Sequence, residues 1–157
     1  MLLLMTFLAC EEQKTYNYDV SSTIIVTDEN GLAIQADNVE FCQRFQSEDY
    51  DTRTGWEVSS EQCNQVSIEN GIATLPNWEG EYFGHDVSMK LELHKDEEVY
   101  EAQVFDSDAE VWCDNELVTE FDEYGDPVHY ESLCAEDYER YLVWSLVVPI
   151  GLFDDSN

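Results

Sequence analysis

The sequence predicts an all-β protein, an antiparallel β-sandwich of about seven to eight strands, and three observations carry that expectation. Apolar and polar residues alternate with a period of two. Val87, Met89, Leu91 and Leu93 alternate in this way with Ser88, Lys90, Glu92 and His94, the pattern of a strand with one buried face. Asn-Gly occurs twice between extended runs, at Asn30-Gly31 and Asn70-Gly71, and supplies the positive φ that a tight reversal needs. Helical periodicity is nearly absent, with residues 135–141 the one short stretch that suggests a turn of helix.

Taken in order, residues 1–9, MLLLMTFLA, form an apolar run directly before Cys10 and Glu11-Glu12. The run is too short to span a bilayer, which takes about 20 helical residues, and suits the hydrophobic part of an export signal. Residues 10–22 read as a tether and possible first strand, because Tyr16, Tyr18 and Val20 alternate with polar residues. Residues 23–151 are expected to form a single domain, followed by a tail at 152–157.

Within that domain, the β-branched run of residues 23–27 stops at Asp28-Glu29-Asn30-Gly31, and a return strand follows. Val39, Phe41, Gln43 and Phe45 share one face of it and Cys42 points to the other. Residues 47–60 read as a polar surface loop carrying Trp56. Residues 66–68 and 72–75 flank Asn70-Gly71 as a hairpin, and residues 87–93 and 99–105 form another about Lys95-Asp96-Glu97-Glu98. Residues 106–137 are the most acidic and least periodic part, with a turn at Gly125-Asp126-Pro127. The near-continuous apolar run YLVWSLVVPI at 141–150 predicts a strand buried on both faces.

Charge limits the partners. Across 157 residues, 36 acidic side chains face six basic ones, a formal net charge of -30. Such a field repels nucleic-acid phosphates and anionic lipid headgroups, and leaves cations and basic proteins as electrostatic partners. Four Trp, nine Tyr and seven Phe make the chain too aromatic for a disordered acidic tail.

Two resemblances add expectations. Ala9-Cys10 after the apolar run resembles a bacterial lipoprotein signal, which implies that Cys10 becomes the lipidated first residue of a protein anchored at the cell envelope, on the outer membrane or its periplasmic face. Residues 26–34, VTDENGLAI, then Asp37-Asn38-Val39, residues 69–75, ENGIATL, and the strand at 87–93 resemble the carboxypeptidase regulatory-like, or transthyretin-like, domains of exported bacterial proteins. That resemblance, over roughly residues 23–105, implies an Ig-like sandwich acting as a non-catalytic structural or binding module.

Apart from Cys10 there are four cysteines, an even number suited to disulfides in an exported chain. The expected bridges are Cys42 to Cys63 and Cys113 to Cys134, each joining sequence neighbours across one acidic loop and each contributing on the order of 3 kcal/mol on the chain-entropy model. A zinc site is the alternative use, but no Cys-x-x-Cys occurs.

For chemistry, Asp106, Asp108 and Glu110 at alternate positions, with Asp122 and Asp126 nearby, are candidate calcium ligands, although the EF-hand spacing is missing. No cofactor is otherwise implied. The aromatic residues of the loop-like segments, Trp56, Trp78, Tyr82, Phe83, Trp112, Tyr124 and Tyr130, either cap the core or meet a sugar or protein partner. His85, His94 and His129 are scattered and read as surface histidines. No catalytic signature is present: nucleophile elbow, phosphate loop and zinc-protease motif are all missing. The leading expectation is a non-enzymatic module at the cell envelope. The alternative is a calcium- or carbohydrate-binding domain using residues 106–126, and a secreted hydrolase is third.

Overall fold

A computed structural model describes residues 15–48, 57–83, 87–113, 116–120, 123 and 136–154. Ten strands follow in chain order: β1 (Thr15–Asp28), β2 (Ala36–Glu48), β3 (Glu57–Ile68), β4 (Ile72–Thr74), β5 (Trp78–Phe83), β6 (Val87–Lys95), β7 (Glu98–Glu101), β8 (Gln103–Cys113), β9 (Glu116–Leu117) and β10 (Glu136–Val148). They make two sheets. The larger has the order β4-β1-β10-β8-β9, with β5 also paired to β1, and the smaller has the order β3-β2-β6-β7.

The all-β expectation holds, and three of its details need correction. Ten strands are present among the described residues rather than seven or eight. The pairing is not wholly antiparallel, because β1 and β10 run parallel over the full register from Asn17 opposite Asp137 to Asp28 opposite Val148. Residues 136–141, where a turn of helix was expected, are strand. The polar residues there alternate across the sheet rather than lining one side of a helix.

The core is the inner faces of both sheets. Val20, Ile24 and Val26 from β1, and Leu142, Trp144, Leu146 and Val148 from β10, meet Phe41 and Phe45 from β2 and Leu91 and Leu93 from β6. Phe45 stacks on Trp78 with ring centroids 4.0 Å apart. A polar relay crosses this core: Ser22 donates to Gln43 Oε1 at 2.8 Å, and Trp144 Nε1 donates to Ser22 Oγ at 3.2 Å. Gln43 thereby ties the smaller sheet to the larger one. Its alternation with Phe41 and Phe45 already placed it inward.

Both Asn-Gly turns form, with φ of 79° at Gly31 and at Gly71 and 51° at Asn70. Neither joins two strands of one sheet. The first turn leads from β1 in the larger sheet to β2 in the smaller, and the second leads from β3 in the smaller sheet back to β4 in the larger. At the second turn a single bridge, Glu69 to Ile72, is made before the strands part. The turns instead lock together: Gly71 N donates to Ile34 O at 2.8 Å, Val26 N donates to Gly71 O at 2.8 Å, and Asn70 N donates to Gln35 Oε1 at 3.0 Å. The expected hairpin between residues 66–68 and 72–75 is therefore a corner between sheets.

The β6–β7 hairpin forms, but its return strand ends at Glu101 rather than at Phe105: the chain crosses to the larger sheet at buried Ala102, whose N–H donates to Leu91 O at 2.8 Å, and residues 103–105 begin β8. The strand at 141–150 is buried on one face only. Val147 is exposed and Val143 and Ser145 are half-buried, because the outer face of the larger sheet is uncovered there.

Candidate functional site

The outer face of the larger sheet also carries a row of acidic side chains. Strand register places Asp19 on β1 opposite Glu79 on β5 and Glu139 on β10, and Glu139 opposite Glu110 on β8. Paired residues point to the same side of a sheet, so four carboxylates from four adjacent strands form one rung, Glu79–Asp19–Glu139–Glu110. Like charges directly opposite each other destabilise a sheet, and this rung has three such pairs in succession.

The strands form here because their other faces are apolar. Tyr18 and Val20 on β1 and Leu142 on β10 are buried, so the period of two sends Asp19 and Glu139 outward. On the next rung Asn17 Nδ2 donates to Asp137 Oδ1 at 2.7 Å. One rung in the other direction, Tyr141 donates its hydroxyl proton to Glu139 Oε2 at 2.7 Å.

A groove of about 490 Å³ opens at this end of the larger sheet, lined by Asn17, Asp19, Glu79, Gly80, Asp137 and Glu139 together with Tyr18 and Tyr138, whose rings stack at 4.9 Å on the side of the sheet opposite the rung. Asp19 Oδ1 is buried in it without a hydrogen-bond partner among the described residues. Partial burial, then the charges of Glu79 and Glu139, raise the Asp19 pKa above its ordinary 3.8. The Tyr141 phenol is likewise raised. Its hydrogen bond to Glu139 is the main cause, with the charges of Glu110 and Asp19 adding to it. The rung therefore acts as one field of negative charge that a cation would relieve.

No protein-family model, characterised protein or solved structure matches this chain.

Of the residues expected to act, Glu110 joins the rung. Asp106 and Asp108 lie on the same strand opposite Val143 and Tyr141. Spacing along one strand carries carboxylates apart, at about 7 Å per two residues, so these three do not form a cage of converging oxygens. Asp122 and Asp126 lie outside the described residues. So do Trp56, Tyr124, Tyr130, His85 and His129, as do Cys10 and Cys134, the latter being one end of the expected Cys113–Cys134 bridge.

The aromatics sort differently from their loop-like sequence context. Trp78 opens β5, is buried and stacks on Phe45, so it is a core residue rather than a binding one. Tyr82 and Phe83 belong to the same strand. Trp112 is half-buried on β8, on the rung that also holds Asn17 and Asp137.

The Cys42–Cys63 disulfide is present, but it does not staple a loop. Cys42 and Cys63 are directly opposed on β2 and β3, which extend into the region expected to be loop and pair as far as Ser47–Val58 and Glu48–Glu57. His94 is no free surface histidine. It is half-buried on β6 with Nε2 3.2 Å from Glu92 Oε2 and Nδ1 3.9 Å from Cys42 Sγ.

Asp19, Glu79 and Glu139 were not singled out from the sequence. Alternation in TYNYDV and in EDYERYLVW assigns Asp19 and Glu139 to an outward face, whereas Glu79 is placed there only by the pairing of β5 with β1. Their coming together depends on the parallel pairing of β1 with β10, which no local pattern announces.

Proposed function

We propose that this chain is an exported, lipid-anchored, non-enzymatic Ig-like β-sandwich at the bacterial cell envelope, and that it binds a basic segment of a protein partner on the outer face of its larger sheet. The carboxylate rung Glu79–Asp19–Glu139–Glu110 carries this reading. A sheet gains nothing in stability from such a row, whereas a strip of lysine or arginine side chains laid across it would neutralise charges that now repel. The Cys42–Cys63 disulfide fits an oxidising compartment, and the apolar run ending at Ala9-Cys10 fits a lipid-anchored exported chain.

Calcium is the weaker reading, because its six to eight oxygens must converge and Asp106, Asp108 and Glu110 are strung along one strand. A carbohydrate reading loses Trp78 to the core.

The test is binding of a fluorescent oligolysine peptide to two variants of equal charge. D19N/E79Q/E139Q is expected to weaken binding about tenfold, the loss of three screened pairs of roughly 0.5 kcal/mol each. D96N/E97Q/E98Q, at the β6–β7 turn, removes the same charge elsewhere and is expected to change binding little. Equal loss in the two variants would leave only the overall charge as an explanation and overturn the reading.

A further inference from the structure

On the outer face of the smaller sheet, three adjacent strands bring sulfur, imidazole and carboxylate together. Cys42 and Glu40 lie on β2, Cys63 is opposite Cys42 on β3, and His94 is opposite Glu40 on β6. Ligand atoms of Glu40, Cys42 and His94 all lie within 4.8 Å of one another. Cys42 is buried and Cys63 is exposed.

His94 is held in the orientation a metal needs. Glu92 Oε2 stands 3.2 Å from Nε2, so the ring proton belongs on Nε2 and the lone pair is on Nδ1, directed at Cys42 Sγ 3.9 Å away. A carboxylate holding the far nitrogen of a histidine is the usual outer support of a zinc ligand. Tetrahedral zinc, with bonds of about 2.3 Å to sulfur and about 2.0 Å to nitrogen, keeps those two ligand atoms roughly 3.5 Å apart. The observed separation is within a few tenths of an ångström of that.

We propose that the Cys42–Cys63 disulfide is the oxidised, closed form of a zinc site, which a dithiol reductant opens. A reductant thiolate attacks the exposed Cys63 Sγ, the bond between the two sulfurs breaks and Cys42 leaves as a thiolate. The reductant's second thiolate then attacks its own sulfur in the mixed disulfide, which frees Cys63 as a thiolate and leaves the reductant as a disulfide. Two electrons pass from reductant to protein. Zinc then binds Cys42 Sγ, Cys63 Sγ, His94 Nδ1 and Glu40, and the two protons that the free thiols would carry are released. The proposal is independent of the acidic face of the other sheet.

Cobalt(II) titration of the full chain, oxidised and after reduction with a phosphine, reads the site directly. The reduced protein is expected to take up one equivalent with the visible absorption of tetrahedral thiolate-bound cobalt, bleached by zinc, and the oxidised protein to show none. H94A keeps the disulfide and hence its fold, and after reduction is expected to lose that absorption. C42S/C63S is also expected to lose it. E92Q is expected to keep the absorption with affinity lowered about 10- to 100-fold, as for other outer-shell partners. Absence of the band in the reduced chain would overturn the proposal. So would its persistence in C42S/C63S, which would assign it to Cys10, Cys113 or Cys134, or undiminished affinity in H94A.

Discussion

Asp28 shows how one side chain sets a turn. It is buried at the end of β1, and its Oδ1 accepts from Asn30 N at 2.8 Å and from Leu32 N at 2.9 Å. Two charge-assisted bonds to backbone make D28A about 2 kcal/mol destabilising; D28N, which keeps an acceptor oxygen, should lose less in a urea melt. Gly31 and Gly71 share a left-handed φ, yet they should not respond alike. A Cβ at Gly31 meets nothing within 4 Å, whereas one at Gly71 would lie 3.0 Å from both Ala33 Cβ and Val26 O. G31A is expected to cost about 1 kcal/mol, and G71A roughly 3 kcal/mol, from the same backbone strain plus overpacking.

Asp19 gives a pH dependence of known sign. Its folded pKa is above 3.8, so the folded chain holds that proton more tightly than the unfolded chain does. The stabilising contribution is full below 3.8 and is lost as pH rises through the folded value. D19N should therefore melt higher than the parent at neutral pH, by about 1–2 °C for on the order of 0.5 kcal/mol. The advantage should vanish in acid below 3.8, where Asp19 is protonated in both states. An unchanged difference across that range would contradict the assigned shift.

At the scale of the strands, alternation was legible and pairing was not. The strand at 87–95 buries Leu91 and Leu93 as its pattern requires, and Cys42 faces away from Phe41. The two Asn-Gly turns were legible as reversals, but a turn fixes only the local backbone. Which sheet the next strand enters is decided by burial far along the chain, so both proved to be corners. Residues 47–48 and 57–60 are strand rather than the loop their polar context suggested, because a strand whose outer face meets water differs little in composition from a loop. The Cys42–Cys63 bond closes a separation of 21 residues, and replacing both cysteines with serine should lower stability by about 3 kcal/mol. Comparing C42S/C63S with the parent by urea denaturation checks the value.

Across the whole molecule, charge is arranged unevenly on the two outer faces. The smaller sheet sets Arg44 against Glu61 at 2.7 Å and Glu92 at 3.8 Å, an interleaving that partly offsets its acids. The larger sheet lines up four acids on one rung without a basic residue in it. The net charge of -30 was plain from composition. Its concentration on one face was not, because that concentration arises from residues 19, 79, 110 and 139 meeting across β5, β1, β10 and β8.

If those acids serve a partner, they work against the fold. The direct measurement is thermal melting at neutral pH and low ionic strength of D19N/E79Q/E139Q beside D96N/E97Q/E98Q, which lowers the charge equally. The rung variant should melt above both the parent and the turn variant, by a few degrees for about 1 kcal/mol of relieved repulsion. A rung variant that melts below the parent, or no higher than the turn variant, would contradict the account.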